Sequence, residues 1–114
     1  MGIELKGVPV EATVTLTNAA VSGAAELVRA VTSNRRLRLT DITISNAGSA
    51  TYGITLVDTG PSSTTAKHPI IYVSPKDTVK ISMTVGPEFS TGVYAFADSA
   101  PGTNIKISVA GVEL

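Results

Sequence analysis

Few residues of this chain have the chemistry to act on anything. Leu56 and Val57 run into Asp58-Thr59-Gly60, and an aspartate on a loop of small residues is how two carboxylates can approach closely enough to share one proton. His68, the only histidine, is a conceivable general base. Asp77, Glu88 and Asp98 are oxygen donors of the kind a hard cation takes. Arg29, Arg35, Arg36 and Arg38 form the one cluster of charge.

Each of these also has a plainer reading. Asp-Thr-Gly opens the catalytic loop of retroviral-type aspartic proteases, and 114 residues is close to one subunit of such a dimer. The resemblance ends after three residues. Pro61 and "SSTTA" follow the glycine where the protease motif continues with Ala or Ser and another acidic residue, Asp58 lies at mid-chain, and no glycine-rich flap follows. Asp58 is better read as a turn residue that accepts local backbone hydrogen bonds, with Gly60 free to take a positive φ. A single histidine, without cysteine or a Gly-x-Ser-x-Gly elbow, completes no triad, so His68 reads as an exposed loop residue. The three acidic residues have no metal-ligand spacing. Four arginines without an aromatic platform suit a solvated turn or a patch that docks an acidic protein surface better than a nucleic-acid reader. No catalytic residue, cofactor site or metal site is expected.

Composition sets the frame. One domain is expected at this length. Nine basic and nine acidic residues cancel, so no global field draws nucleic acid or an anionic membrane. Cysteine is absent, so the fold stands on packing alone. No apolar run approaches the roughly 18 residues of a membrane span, no basic-then-apolar leader opens the sequence, and Lys6 stands where a myristoylation signal has Ser or Thr; the chain is expected to be soluble. Charged residues are 16% of the chain, against roughly 25% in ordinary soluble domains. So little charge leaves sheet edges poorly protected, which fits either a small Thr-rich β-domain or a subunit of a larger assembly.

The residues must be positioned by strands. Val79, Ile81, Met83 and Val85 alternate with Lys80, Ser82 and Thr84, and Ile105, Ile107 and Val109 alternate with Lys106, Ser108 and Ala110. In "RRLRLTDITIS" the apolar set moves from Leu37 and Leu39 to Ile42 and Ile44, which predicts a β-bulge at Thr40-Asp41. A similar slip is expected at Gly111, after which Val112 and Leu114 resume the inward set. Further strands are expected over 13–17, 25–32, 52–57, 69–73 and 93–97, with Gly-, Pro- and Asn-bearing turns between them. About eight strands and no clear helix predict an all-β, antiparallel β-sandwich, jelly-roll-like, over 11–114, preceded by an N-terminal arm over 1–10.

Two stretches, "AAVSGAAELVRAVTSNRRLRLTDITISNAGSATYGITLVD" and "FSTGVYAFADSAPGTNIKISVAGVEL", resemble small structural proteins of tailed-phage virions, of the capsid decoration or head-fibre type. The resemblance implies a β-sandwich, commonly a jelly roll, that assembles as a homotrimer on the capsid surface, with the major capsid protein or another virion protein as partner and no catalytic residues. The stretch "GPSSTTAKHPIIYVSPKD" has no counterpart in that pattern. Work done by surface contact directs attention to Ile3, Leu5, Val8 and Val10 of the arm, which could pair with a neighbour's sheet edge or lie on its own sandwich, and to Arg35, Arg36 and Arg38. A tail or fibre subunit is the nearest alternative. A carbohydrate-binding or adhesin module would share the fold, but it calls for exposed aromatic platforms, and Tyr52, Tyr72, Phe89, Tyr94 and Phe96 are the only aromatic residues, most of them expected in the core.

Overall fold

A computed structural model describes residues 7–114, and among these it has nine strands and no helix. They are β1 (Val8–Thr15), β2 (Glu26–Ala30), β3 (Leu37–Asn46), β4 (Tyr52–Val57), β5 (Ile71–Val73), β6 (Thr78–Ser82), β7 (Glu88–Phe89), β8 (Gly92–Ala97) and β9 (Ile105–Glu113). Their pairing is nested and antiparallel: β1 with β9, β2 with β8, β3 with β6 and β7, β4 with β5. The chain is therefore one long ribbon doubled on itself and rolled, so that successive pairs fall alternately in two sheets. One sheet has the order β1-β9-β3-β6, with β7 also on β3; the other is β2-β8-β4-β5. This is the jelly-roll form of the β-sandwich.

The alternation read from the sequence sorts the faces. Cross-strand partners share a face, so Ala12, Val109, Ile42 and Ile81 make one inward row and Val14, Ile107, Ile44 and Val79 the next. They pack on Ile54, Leu56, Val73 and Ala95 of the second sheet in a single core. Each fully buried Ile or Leu contributes about 1.5–3 kcal/mol before ordering costs. Outward on the first sheet lies a row of Thr13, Ser108, Thr43 and Lys80.

In the second sheet β4 is covered on both sides, and all six of its residues are buried. Residues after β4 fold over its outer face. Ala66 bridges to Val57, Lys67 N donates to Leu56 O at 2.8 Å and Ala25 N to Pro61 O at 2.9 Å. Beneath them Ala25, Val57 and Phe96 form a second small core.

The predicted bulge is present: the β3–β9 register shifts between Leu39 and Asp41, so Ile42 and Ile44 return to the inward face. Two glycines make room for it. A Cβ on Gly111 would stand 2.2 Å from Arg38 O, and one on Gly86 would stand 1.8 Å from Leu39 O.

Several expectations need correction. The slip at Gly111 does not occur: β9 alternates unbroken, so Glu113 is buried and Val112 faces out. The bulge needs its extra residue on one strand only, and β3 supplies it. β1 opens at Val8, so Val8 and Val10, placed in the arm by the sequence, are strand residues opposite Glu113 and Gly111. Ile3 and Leu5 lie outside the described residues. β6 ends at Ser82, and Val85, expected in that strand, is 80% exposed. The two-residue β7 is too short to show any period.

Candidate functional site

The Asp58 carboxylate is fully engaged. Oδ1 accepts from the N–H of Thr59 at 2.7 Å, of Thr91 at 2.9 Å and of Gly92 at 3.1 Å, while Oδ2 accepts from the N–H and hydroxyl of Ser90 at 2.8 and 3.0 Å. Burial on its own would raise its pKa. The backbone donors of Ser90, Thr91, Thr59 and Gly92 outweigh that and bring it down to about 2. The turn reading captured the Thr59 bond and the positive φ of Gly60, which is 142°, but the other donors lie 32 to 34 positions further along the chain. Asp58 is a latch between the loop after β4 and the turn between β7 and β8.

The remaining chemistry-bearing residues stay apart. His68 is half-buried, not exposed as the sequence suggests, with Nδ1 2.7 Å from Pro69 O. Asp77 accepts from the N–H of Thr78. Among the described residues no three His, Asp or Glu side chains gather as a metal site.

What the fold does bring together is the start of β1 and the arginine cluster. Pro9, Val112, Arg38 and Glu88 form one outward row across β1, β9, β3 and β7. Arg36 exchanges backbone hydrogen bonds with Leu114, at 3.2 and 2.7 Å, at the same end of the sheet. Val8 and Leu114 are there 53% and 47% exposed. Val10 faces inward and is half-buried against the core. One end of the first sheet thus carries an outward apolar patch of Pro9, Val112 and Leu114 beside Arg36 and Arg38, with Val8 exposed at the same end on the opposite face.

Charge at this end is predominantly positive. Arg38 donates from Nη2 at 2.5 Å and Nε at 3.2 Å to Glu88 Oε2, and Arg36 Nη1 lies 3.7 Å from Glu88 Oε1. The Arg38 hydrogen bond holds the Glu88 carboxyl below its usual range; partial desolvation opposes this, and the charges of Arg38 and Arg36 reinforce it. Behind them Glu113 accepts from the N–H of Thr32 at 3.0 Å. That bond and the Thr32 hydroxyl lower its carboxyl against the opposing effect of burial, with help from the charges of Arg29 and Arg35. Arg35 and Arg36 are exposed. Of the surface residues, Val112 and Leu114 were expected in the inward set, and Glu88 was weighed only as a cation donor. The continued alternation through Gly111 was the signal for Val112.

The aromatic residues divide as expected, with one exception. Tyr52, Phe89 and Phe96 are buried and Tyr94 is half-buried, but Tyr72 is 62% exposed. It lies opposite Gly53, and a Cβ there would stand 2.9 Å from the Tyr72 ring and 3.1 Å from Asp98 Oδ2. A scan against models of protein families finds no match for the chain, and a search of the curated proteins finds none either.

Proposed function

We propose that the chain is a structural protein of a phage virion, a capsid decoration protein that works by surface attachment and in more than one copy. The observation that carries this reading is the end of the first sheet. There Pro9, Val112 and Leu114 present apolar surface on the outward face, Val8 is exposed on the other, and the exposed Arg35 and Arg36 add positive charge, with Arg36 also reaching Glu88 at 3.7 Å. Apolar contact rimmed by charge is the anatomy of a protein–protein interface, and the positive rim suits an acidic partner surface. The resemblance of the sequence to small virion proteins and the low share of charged residues support the same reading. Electron microscopy of virions carrying a labelled copy tests it: label over the capsid faces is expected, label on the tail would move the protein to the tail-subunit alternative, and no label would dismiss the virion reading.

One observation favours a second reading, that of a carbohydrate-binding module. Tyr72 offers an exposed ring beside the Asp98 carboxylate, a pair able to stack on a sugar and accept its hydroxyls. Tyr72 also fills the space over Gly53, as aromatic residues do opposite glycine in sheets. Glycan binding that Tyr72→Ala abolishes would favour this second function.

A further inference from the structure

The sheet edges differ in their protection. β2 has five residues, breaks register at Val28 and carries Glu26 and Arg29; β5 has three residues; β6 has five and carries Lys80. β1 runs eight residues in unbroken register with β9, and Glu11 is its only charge. Short strands, bulges, prolines and charged side chains are the usual guards against edge-to-edge pairing; β1 has only Pro9 and Glu11, both in its first half, and Ala12 to Thr15 carry none.

The polarity of that edge follows from one hydrogen bond. Leu16 N donates to Ile105 O at 2.8 Å, so in an antiparallel ladder the even residues of β1 bond to β9. The N–H and C=O groups of the odd residues Pro9, Glu11, Thr13 and Thr15 therefore point away from the sheet, and all four residues are exposed. Pro9, which has no N–H, sits where a proline can sit in a sheet, with its missing donor on the open side. Among the described residues nothing pairs beyond β1.

We infer that this edge pairs with β1 of a second copy about a twofold axis through Thr13. The strand itself selects both the occupant and the register. With Thr13 opposite Thr13, Glu11 faces Thr15 of the other copy, open groups meet open groups, and Ala12 and Val14 lie across from each other on the inward face, where both are half-buried at the rim of the core. A slide of the partner by one residue would set groups that point outward against groups already spent on β9. In the next register that matches, Pro9 lies opposite Thr15 and loses a donor. The one after that sets Glu11 against Glu11. In the opposite direction Glu11 runs past the end of the strand. The result is a continuous sheet in the order β6-β3-β9-β1 followed by the same strands reversed. An isologous pair closes on itself and builds no fibre. The resemblance to virion proteins implies three copies; antiparallel edge pairing gives two. The inference is independent of where the protein attaches, because it concerns the protein alone in solution.

Sedimentation equilibrium on the full chain tests it with substitutions at Thr13, whose exposed side chain leaves the core untouched. The wild type is expected at twice 11.7 kDa. Thr13→Lys and Thr13→Glu each place like charges across the axis and should weaken self-association about tenfold or more. An equimolar mixture of the two should regain the doubled mass, because each lysine then meets a glutamate. Wild type at the single-chain mass, at three times that mass, or a doubled mass that survives in Thr13→Lys alone overturns the inference. So does a mixture that stays at the single-chain mass, since Thr13 would then not face itself. Circular dichroism of β type in both variants confirms that they are folded.

Discussion

Asp58 holds Ser90 twice, accepting from its backbone N–H at 2.8 Å and from its hydroxyl at 3.0 Å, and so ties the loop after β4 to the turn that precedes β8. Substitution to asparagine would turn an amide N–H₂ toward a group of donors and leave some of them unpaired. Asp58→Asn should destabilise the fold by about 2–4 kcal/mol, measured by urea unfolding at pH 7.

The same latch sets an acid limit. The folded pKa of Asp58, about 2, lies below its ordinary value of 3.8, so its stabilisation is complete above about pH 4 and is lost as pH falls through the folded value. The difference corresponds to about 2 kcal/mol. Unfolding midpoints measured between pH 5 and pH 2 should fall more steeply in the wild type than in Asp58→Asn. Parallel curves would show that the carboxylate carries no such linkage.

Gly111 faces the bulge in β3, and a methyl group there would press on the Arg38 carbonyl from 2.2 Å. Gly111→Ala should cost about 2–4 kcal/mol through strain in the β3–β9 ladder, with hydrogen exchange rising first at residues 38 to 41. Protection unchanged in that stretch would mean that the ladder yields without cost.

Asn46 joins the two sheets at the other end of β3. Its amide donates to Ala50 O at 2.7 Å and Val73 O at 3.1 Å, and its oxygen accepts from the N–H of Gly48 at 2.9 Å. Asn46→Ala leaves those backbone groups without their partners in a buried place and should cost about 2–4 kcal/mol by thermal or urea unfolding. A loss below about 1 kcal/mol would mean that water replaces the amide.

Much of the sandwich was legible because it is written in local periods. The change of phase between Leu39 and Ile42 reported the bulge before any partner strand was known, and Tyr52 to Val57 was bounded by its turns. The failures were of pairing over distance. Gly111 looked like a second slip because Val112 and Leu114 are apolar. Only the register with β3 makes clear that β9 runs straight and puts Glu113 inside. Asp58 read as a turn residue, yet no local pattern links it to Ser90, 32 positions on. Val8 and Arg36 were singled out separately, and only the β1–β9–β3 order sets them at one end of a sheet.

The attachment surface is best tested without damage to the fold. β1 begins at Val8, so a chain without residues 1–6 keeps every residue of that strand and serves as the reference. Removal of residues 1–10 also takes Val8, Pro9 and Val10, with their ladder to β9, and should lower stability by about 2–4 kcal/mol. Equal midpoints for the two truncations would mean that this end of β1 adds nothing to the sheet.

The most direct measurement is the affinity of the purified protein for undecorated capsids, compared with that of Arg35→Glu/Arg36→Glu. Both side chains are exposed at the end of the sheet that carries Pro9, Val112 and Leu114, so the fold should survive the exchange. The account predicts saturable binding by the wild type that weakens as salt is raised, and binding by the variant weaker by about tenfold or more. A variant that binds as tightly as the wild type, or a wild type that does not bind capsids at all, would contradict it.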